Sequence, residues 1–240
     1  MTLTQIFAAG IVLVSTTALT TTTYAATNSA NTTGNVSFKV DTTAVNPVDP
    51  TNPDVQLTPT NPIKPTSGPL SIDYASNFNF EEQKISAKDQ IYYATFDKVK
   101  DAQGKDTTKP NWVQVTDKRG SNAGWKLQVK QNGQFATSQN NVSKELRGAK
   151  MTIKNGAPAT TSDNQAETPT SNANIELTPD VPQDVMTANK DQGMGTWVSS
   201  FGNAETGGKS ISLSVPGKSE KIKDAKYTTE ITWVLNDTPA

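Results

Sequence analysis

Apolar residues in this chain recur at every second position, in short runs, and that period limits the fold more than any other feature. Trp125, Leu127 and Val129 alternate with Lys126, Gln128 and Lys130. Residues i and i+2 of a strand point to one face, so the run predicts a strand with one dry and one wet side. Ile231, Trp233 and Leu235 repeat the pattern against Thr232, Val234 and Asn236. Each run contains a tripeptide of the form W-x-L, Trp125-Lys126-Leu127 and Trp233-Val234-Leu235. Each tripeptide sets an indole beside an isobutyl group.

Further short runs predict strands at Leu70 to Tyr74, Ile91 to Phe96, Trp112 to Val115, Ala149 to Lys154, Asn174 to Leu177, Thr196 to Phe201 and Ile211 to Val215. Gly, Asn and Pro punctuate them, and no sustained helical period is found. The expected fold is all-β, an antiparallel β-sandwich of Ig-like or Greek-key type with long polar loops. Its core is expected over residues 68–240. Residues 155–182, rich in Thr, Ser, Asn and Ala, read as a flexible loop, and Asp101 to Asn111 as a shorter polar one.

Three segments precede that core. Ile6 to Val14 is apolar and too short to span a membrane. Thr23-Tyr24-Ala25 has a small-x-small pattern, so residues 1–25 read as a signal peptide, although Met1 to Gln5 carries no Lys or Arg. Asn35 to Val40 alternates, with Val36, Phe38 and Val40 on one face, and predicts a half-buried strand. Pro47, Pro50, Pro53, Pro59, Pro62 and Pro65 then predict an extended, polyproline-like spacer of roughly 55–60 Å at ~3.1 Å per residue. Residues 26–67 thus read as a strand plus an extended Pro/Asn/Thr-rich segment. With no later apolar run or sorting motif, any retention on a cell is expected to be non-covalent.

The chain has 240 residues, no Cys and no His, and a net charge of -1. Disulfides, thiolate metal sites and imidazole bases are excluded, which removes the commonest acid/base group near neutral pH. The balanced charge gives no reason to expect nucleic acid. Asp41, Asp49 and Asp54 lack calcium-loop spacing, and no phosphate-binding loop or nucleophile elbow is present. Glu81-Glu82 has no visible carboxylate partner. No catalytic, cofactor or metal residue is assigned, and a non-enzyme is expected. A carboxylate-based glycosidase is the weakest rival.

The W-x-L strands admit two readings. Alternation favours turning Trp125 and Trp233 into a core, as for Trp112 and Trp197. The other places one or both indoles in a groove, stacked on ligand. The ordered set of features — the export signal, Asn35 to Val40, Asn46 to Pro53, Gly68 to Tyr74 with Asn77 to Phe80, and both W-x-L tripeptides — resembles WxL-domain cell-surface proteins of low-GC Gram-positive bacteria. The resemblance implies a non-catalytic module bound non-covalently to the wall through peptidoglycan. It also implies a multi-protein surface complex with a WxL-interacting protein. Trp125, Lys126, Leu127, Trp233, Val234 and Leu235 carry the family's motif. The alternative, motivated by the 155–182 loop, is an adhesin or interaction protein that binds a WxL-interacting partner or host matrix protein through its loops.

Overall fold

A computed structural model describes residues 28–139 and 142–237. The expected signal peptide, 1–25, lies outside them. In chain order the strands are β1 (Val48–Asp49), β2 (Asn52–Gln56), β3 (Thr58–Pro59), β4 (Leu70–Ala75), β5 (Gln90–Tyr93), β6 (Asp97–Lys100), β7 (Asp106–Lys109), β8 (Trp112–Asp117) and β9 (Trp125–Gln139). They continue as β10 (Val142–Glu145), β11 (Lys150–Lys154), β12 (Gly156–Ala159), β13 (Thr170–Ser171), β14 (Asn174–Leu177), β15 (Gln183–Ala188), β16 (Gly195–Phe201), β17 (Ile211–Val215) and β18 (Thr228–Asn236). The only helix among the described residues is a 3-10 turn at Gly207–Lys209. The all-β, sandwich-like, antiparallel architecture agrees with the period-two pattern.

Three larger sheets make the body, with orders β12-β16-β8-β4, β14-β11-β17-β5 and β10-β9-β15-β13. β18 pairs with β9 outside the last of these paths. Ala136 of β9 pairs with Glu145 of β10 and with Thr228 of β18, so β10 and β18 lie on opposite edges of β9. The main core is drawn from all three sheets and includes Val115, Trp125, Leu127, Ile153, Trp197 and Phe201.

β8 is buried along its whole length. Val113 and Val115 face the main core, whereas Trp112 joins Val48, Leu57, Tyr74, Val99 and Val198 in a second one. This second core corrects the spacer expectation for the Pro-rich stretch. The stretch folds back over the β8 sheet as the β1–β2 pair and as β3, which pairs with β6. The physical cause is a polar pin. Gln114 Oε1 accepts from the Val48 N–H at 2.8 Å, and its Nε2 donates to Asn46 O at 3.1 Å. Asp49 pairs with Lys109.

Three other expectations are corrected. Asn35 to Val40 forms no strand, and Val36, Phe38 and Val40 are exposed at 79%, 90% and 55%. Asp101 to Asn111 is largely a β6–β7 hairpin, its turn built by Asp101 Oδ1 accepting from the N–H groups of Gln103 and Lys105. The 155–182 segment carries β12, β13 and β14 instead of being a free loop. Backbone pairing and hydroxyl and amide bonds hold it where apolar periodicity is weak. Ser171 Oγ lies 2.6 Å from Ser199 Oγ, and Asn155 Nδ2 donates to Ser210 Oγ at 2.9 Å.

Asp73 is a carboxylate buried against the β8 sheet. It accepts from Thr116 Oγ1 at 2.6 Å, Ser71 Oγ at 2.7 Å and Gln114 Nε2 at 3.0 Å. Burial nevertheless raises its pKa above the ordinary carboxylate range, against those three donors. The folded protein then holds this proton more tightly than the unfolded chain does. Through this group, stability rises as pH falls from neutral and levels off below the unfolded-state value. Measured by urea unfolding, the stability of the natural protein minus that of Asp73→Asn is expected to grow between pH 7 and about 4. A difference that shrinks on acidification contradicts this account.

Candidate functional site

The two W-x-L motifs lie side by side. In the β9–β18 register Leu127 opposes Leu235, Val129 opposes Trp233, and Lys126 opposes Asn236. Trp125 and Trp233 therefore sit at opposite ends of one apolar patch, with the two leucines between them.

Trp125 and Leu127 are fully buried, each with 0% exposure. An indole N–H taken out of water needs an acceptor, and Trp125 Nε1 donates to Gly193 O at 3.0 Å. Gly193 has φ +75°, and a Cβ there would lie 2.7 Å from that nitrogen, so only glycine fits. The next carbonyl, Met194 O, accepts from Trp197 Nε1 at 3.0 Å. One short loop thus satisfies both indoles.

Arg119 ties the ends of the two motif strands together. Its Nη2 donates to Gly124 O at 2.7 Å and its Nη1 to Asp237 O at 2.8 Å. The same guanidinium grips Asp117 through Nε at 3.0 Å and Nη2 at 2.8 Å. That carboxylate holds the Arg119 pKa above its ordinary value, against burial. Neither Arg119 nor Gly193 was legible as part of the site. The one signal that could have marked a tight turn at Gly193 is its closeness to Gly195, two residues ahead of Trp197.

Trp233 packs against the main core, as alternation predicts, but less completely than Trp125. Its side chain points inward but is only half-buried, because β18 is the outermost strand beside β9. It stacks on Phe201, with ring centroids 6.3 Å apart and planes 15° apart. Its free side lines a cavity of 660 Å³ together with Phe78, Phe80, Phe135 and Ile231. Leu235 is half-buried as well.

The opposite face of these strands is polar. Gln128 Nε2 donates to Asp184 Oδ1 at 2.7 Å, and Asn236 Nδ2 donates to Gln128 Oε1 at 3.2 Å. Lys126 Nζ lies 3.4 Å from Asp184 Oδ2. Val234, opposite Gln128, is exposed. The middle residues of both motifs therefore share one outward platform. Among the described residues no group of His, Cys, Asp or Glu is placed to hold a metal ion, and no helix is long and apolar enough to cross a membrane. Glu81 and Glu82 are exposed.

A family model described as "WxL domain surface cell wall-binding" matches residues 25–239. The chain belongs to this family. The WxL family is a wall-binding rather than a catalytic one, and membership assigns the domain to the cell surface. No curated protein and no solved structure matches the chain.

Burial ranks the motif residues of the WxL domain by stability. Trp125→Ala is expected to cost ~3–5 kcal/mol in urea unfolding, whereas Val234→Ser should stay within about 0.5 kcal/mol. Equal losses at the two positions would contradict the burial assignment.

Proposed function

We propose that this WxL domain holds the cell wall non-covalently by contacting peptidoglycan through the outward face of the β9–β18 pair. The observation that carries the reading is the register. It sets Lys126, Gln128 and Lys130 beside Thr232, Val234 and Asn236 on one face. Peptidoglycan presents amides, hydroxyls and peptide carboxylates. A platform of ammonium, amide and hydroxyl groups around one exposed valine, with the Asp184 carboxylate beside Lys126 and Gln128, complements that chemistry. On this reading Trp125, Leu127 and Leu235 act indirectly, by fixing the two strands edge to edge. Participation in a multi-protein surface complex rests on the family resemblance. The loop-borne adhesin reading loses part of its motive, since β12, β13 and β14 of the 155–182 segment are paired into the sheets.

The test is sedimentation of the full chain with purified wall sacculi at low salt. Lys126→Glu with Lys130→Glu is expected to weaken retention by at least about tenfold, equivalent to ~1.4 kcal/mol. Added salt should weaken the natural protein in the same direction. Undiminished retention by a folded double variant removes the platform from the mechanism.

A further inference from the structure

Among the described residues, no strand pairs with the outer edge of the second W-x-L strand. The hydrogen-bond phase of the sheet shows which of its groups are free. The Asn172 N–H donates to Val185 O at 2.8 Å, and the Thr170 hydroxyl donates to Thr187 O at 3.2 Å. Val185 and Thr187 therefore turn their backbone toward β13. Met186 and Ala188 turn theirs toward β9, where they oppose Leu127 and Trp125. Backbone groups alternate sides along a strand, so Lys126, Gln128 and Lys130 bond to β18. Their partners there are Asn236, Val234 and Thr232. Ile231, Trp233 and Leu235 are left with N–H and C=O groups directed away from β9, and no strand pairs with them among the described residues.

Beyond the register shift between Thr228 and Glu230, this edge carries little of the usual protection. Exposed edges are commonly blunted by proline, bulges or lysines. β18 contains no Pro or Lys, and its register is regular from Glu230 to Asn236. It borders the 660 Å³ cavity, whose far wall includes Asn77 and Phe78. The side-chain amide nitrogens that line this cavity are already engaged, and Asn132 Oδ1 alone is left as a buried acceptor with no partner. Asn132 Nδ2 donates to Thr232 Oγ1 at 2.8 Å, Gln134 Nε2 to Ala149 O at 3.0 Å, and Asn77 Nδ2 to Asn61 O at 3.2 Å. A sugar would find few free side-chain donors here. An extended peptide would find a backbone ladder and an apolar wall.

The same chain carries a segment of matching form. Asn35 to Val40 has the sequence of a half-buried strand, yet Val36, Phe38 and Val40 are exposed at 79%, 90% and 55%. These three residues recur at every second position, as do Ile231, Trp233 and Leu235. Added alongside β18, they would extend the same apolar face over the cavity. We infer that β18 accepts the Asn35 to Val40 segment of a second copy as an added strand. Donor and acceptor are different surfaces of the molecule, so the contact is head-to-tail and propagates into chains of copies. It uses the edge of the sheet and is independent of the wall-binding platform.

The natural absence of cysteine makes the test clean. The full chain carrying Ser37→Cys and Thr232→Cys is treated with a short bismaleimide and resolved on a denaturing gel. A ladder of covalent multimers is expected. It should vanish, with a fall to monomer mass in light scattering, when Phe38→Asp is added, since an exposed Phe38 contributes nothing to the fold of its own copy. Internally linked monomer overturns the proposal in favour of the chain's own segment. Failure to cross-link, with both cysteines labelled, overturns strand addition altogether. A ladder that survives Phe38→Asp overturns it in favour of another interface.

Discussion

The antiparallel pairing of β9 with β18 is the interaction on which the rest of the domain depends. It joins residues about a hundred positions apart in sequence and brings the two W-x-L tripeptides into one patch. The patch is then locked from both ends. At one end Arg119 grips backbone carbonyls beyond each motif. At the other, Trp233 stacks on Phe201 of the β8 sheet. The tripeptide is therefore an architectural signature first. Its buried members fix a geometry, and the surfaces that follow from that geometry face elsewhere.

The two tryptophans have identical local sequence logic and different fates. Trp125 lies on a strand flanked by β15 and β18, so it is enclosed on every side. Trp233 lies on the outermost strand, so enclosure stops at its free edge. Alternation tells which face a residue takes, but whether that face is covered depends on strand order. Strand order is a property of long-range pairing, which local period does not encode.

Apart from Asn35 to Val40, the strongly alternating runs became strands, and the all-β class followed from them. Legibility failed where apolar period gives way to polar bonding. Residues 155–182 and the β6–β7 hairpin are held by backbone ladders and by hydroxyl, amide and carboxylate contacts, with little apolar contrast between their faces. The opposite error occurred at Asn35 to Val40, where a strand-like pattern pairs with no strand among the described residues. Within the candidate site the six motif residues were legible. Arg119 and Gly193 were not, because each acts through a carbonyl or an indole brought to it by the fold. A lone arginine or glycine in a polar stretch gives no such signal.

Gln114 carries a consequence of its own. Its side-chain amide has the donor–acceptor pair of a peptide group, and it meets Val48 N–H and Asn46 O much as a neighbouring strand would. A peptide group has in effect been transplanted from the edge of a sheet to the middle of its face. The covering segment can then be proline-rich, since one fixed amide supplies register that a proline-poor ladder would otherwise provide. The sheet's outer wrapping keeps its own pairs, β1 with β2 and β3 with β6, yet needs no ladder to the sheet beneath it. It is open to variation in length and composition without any change to the pairing beneath it.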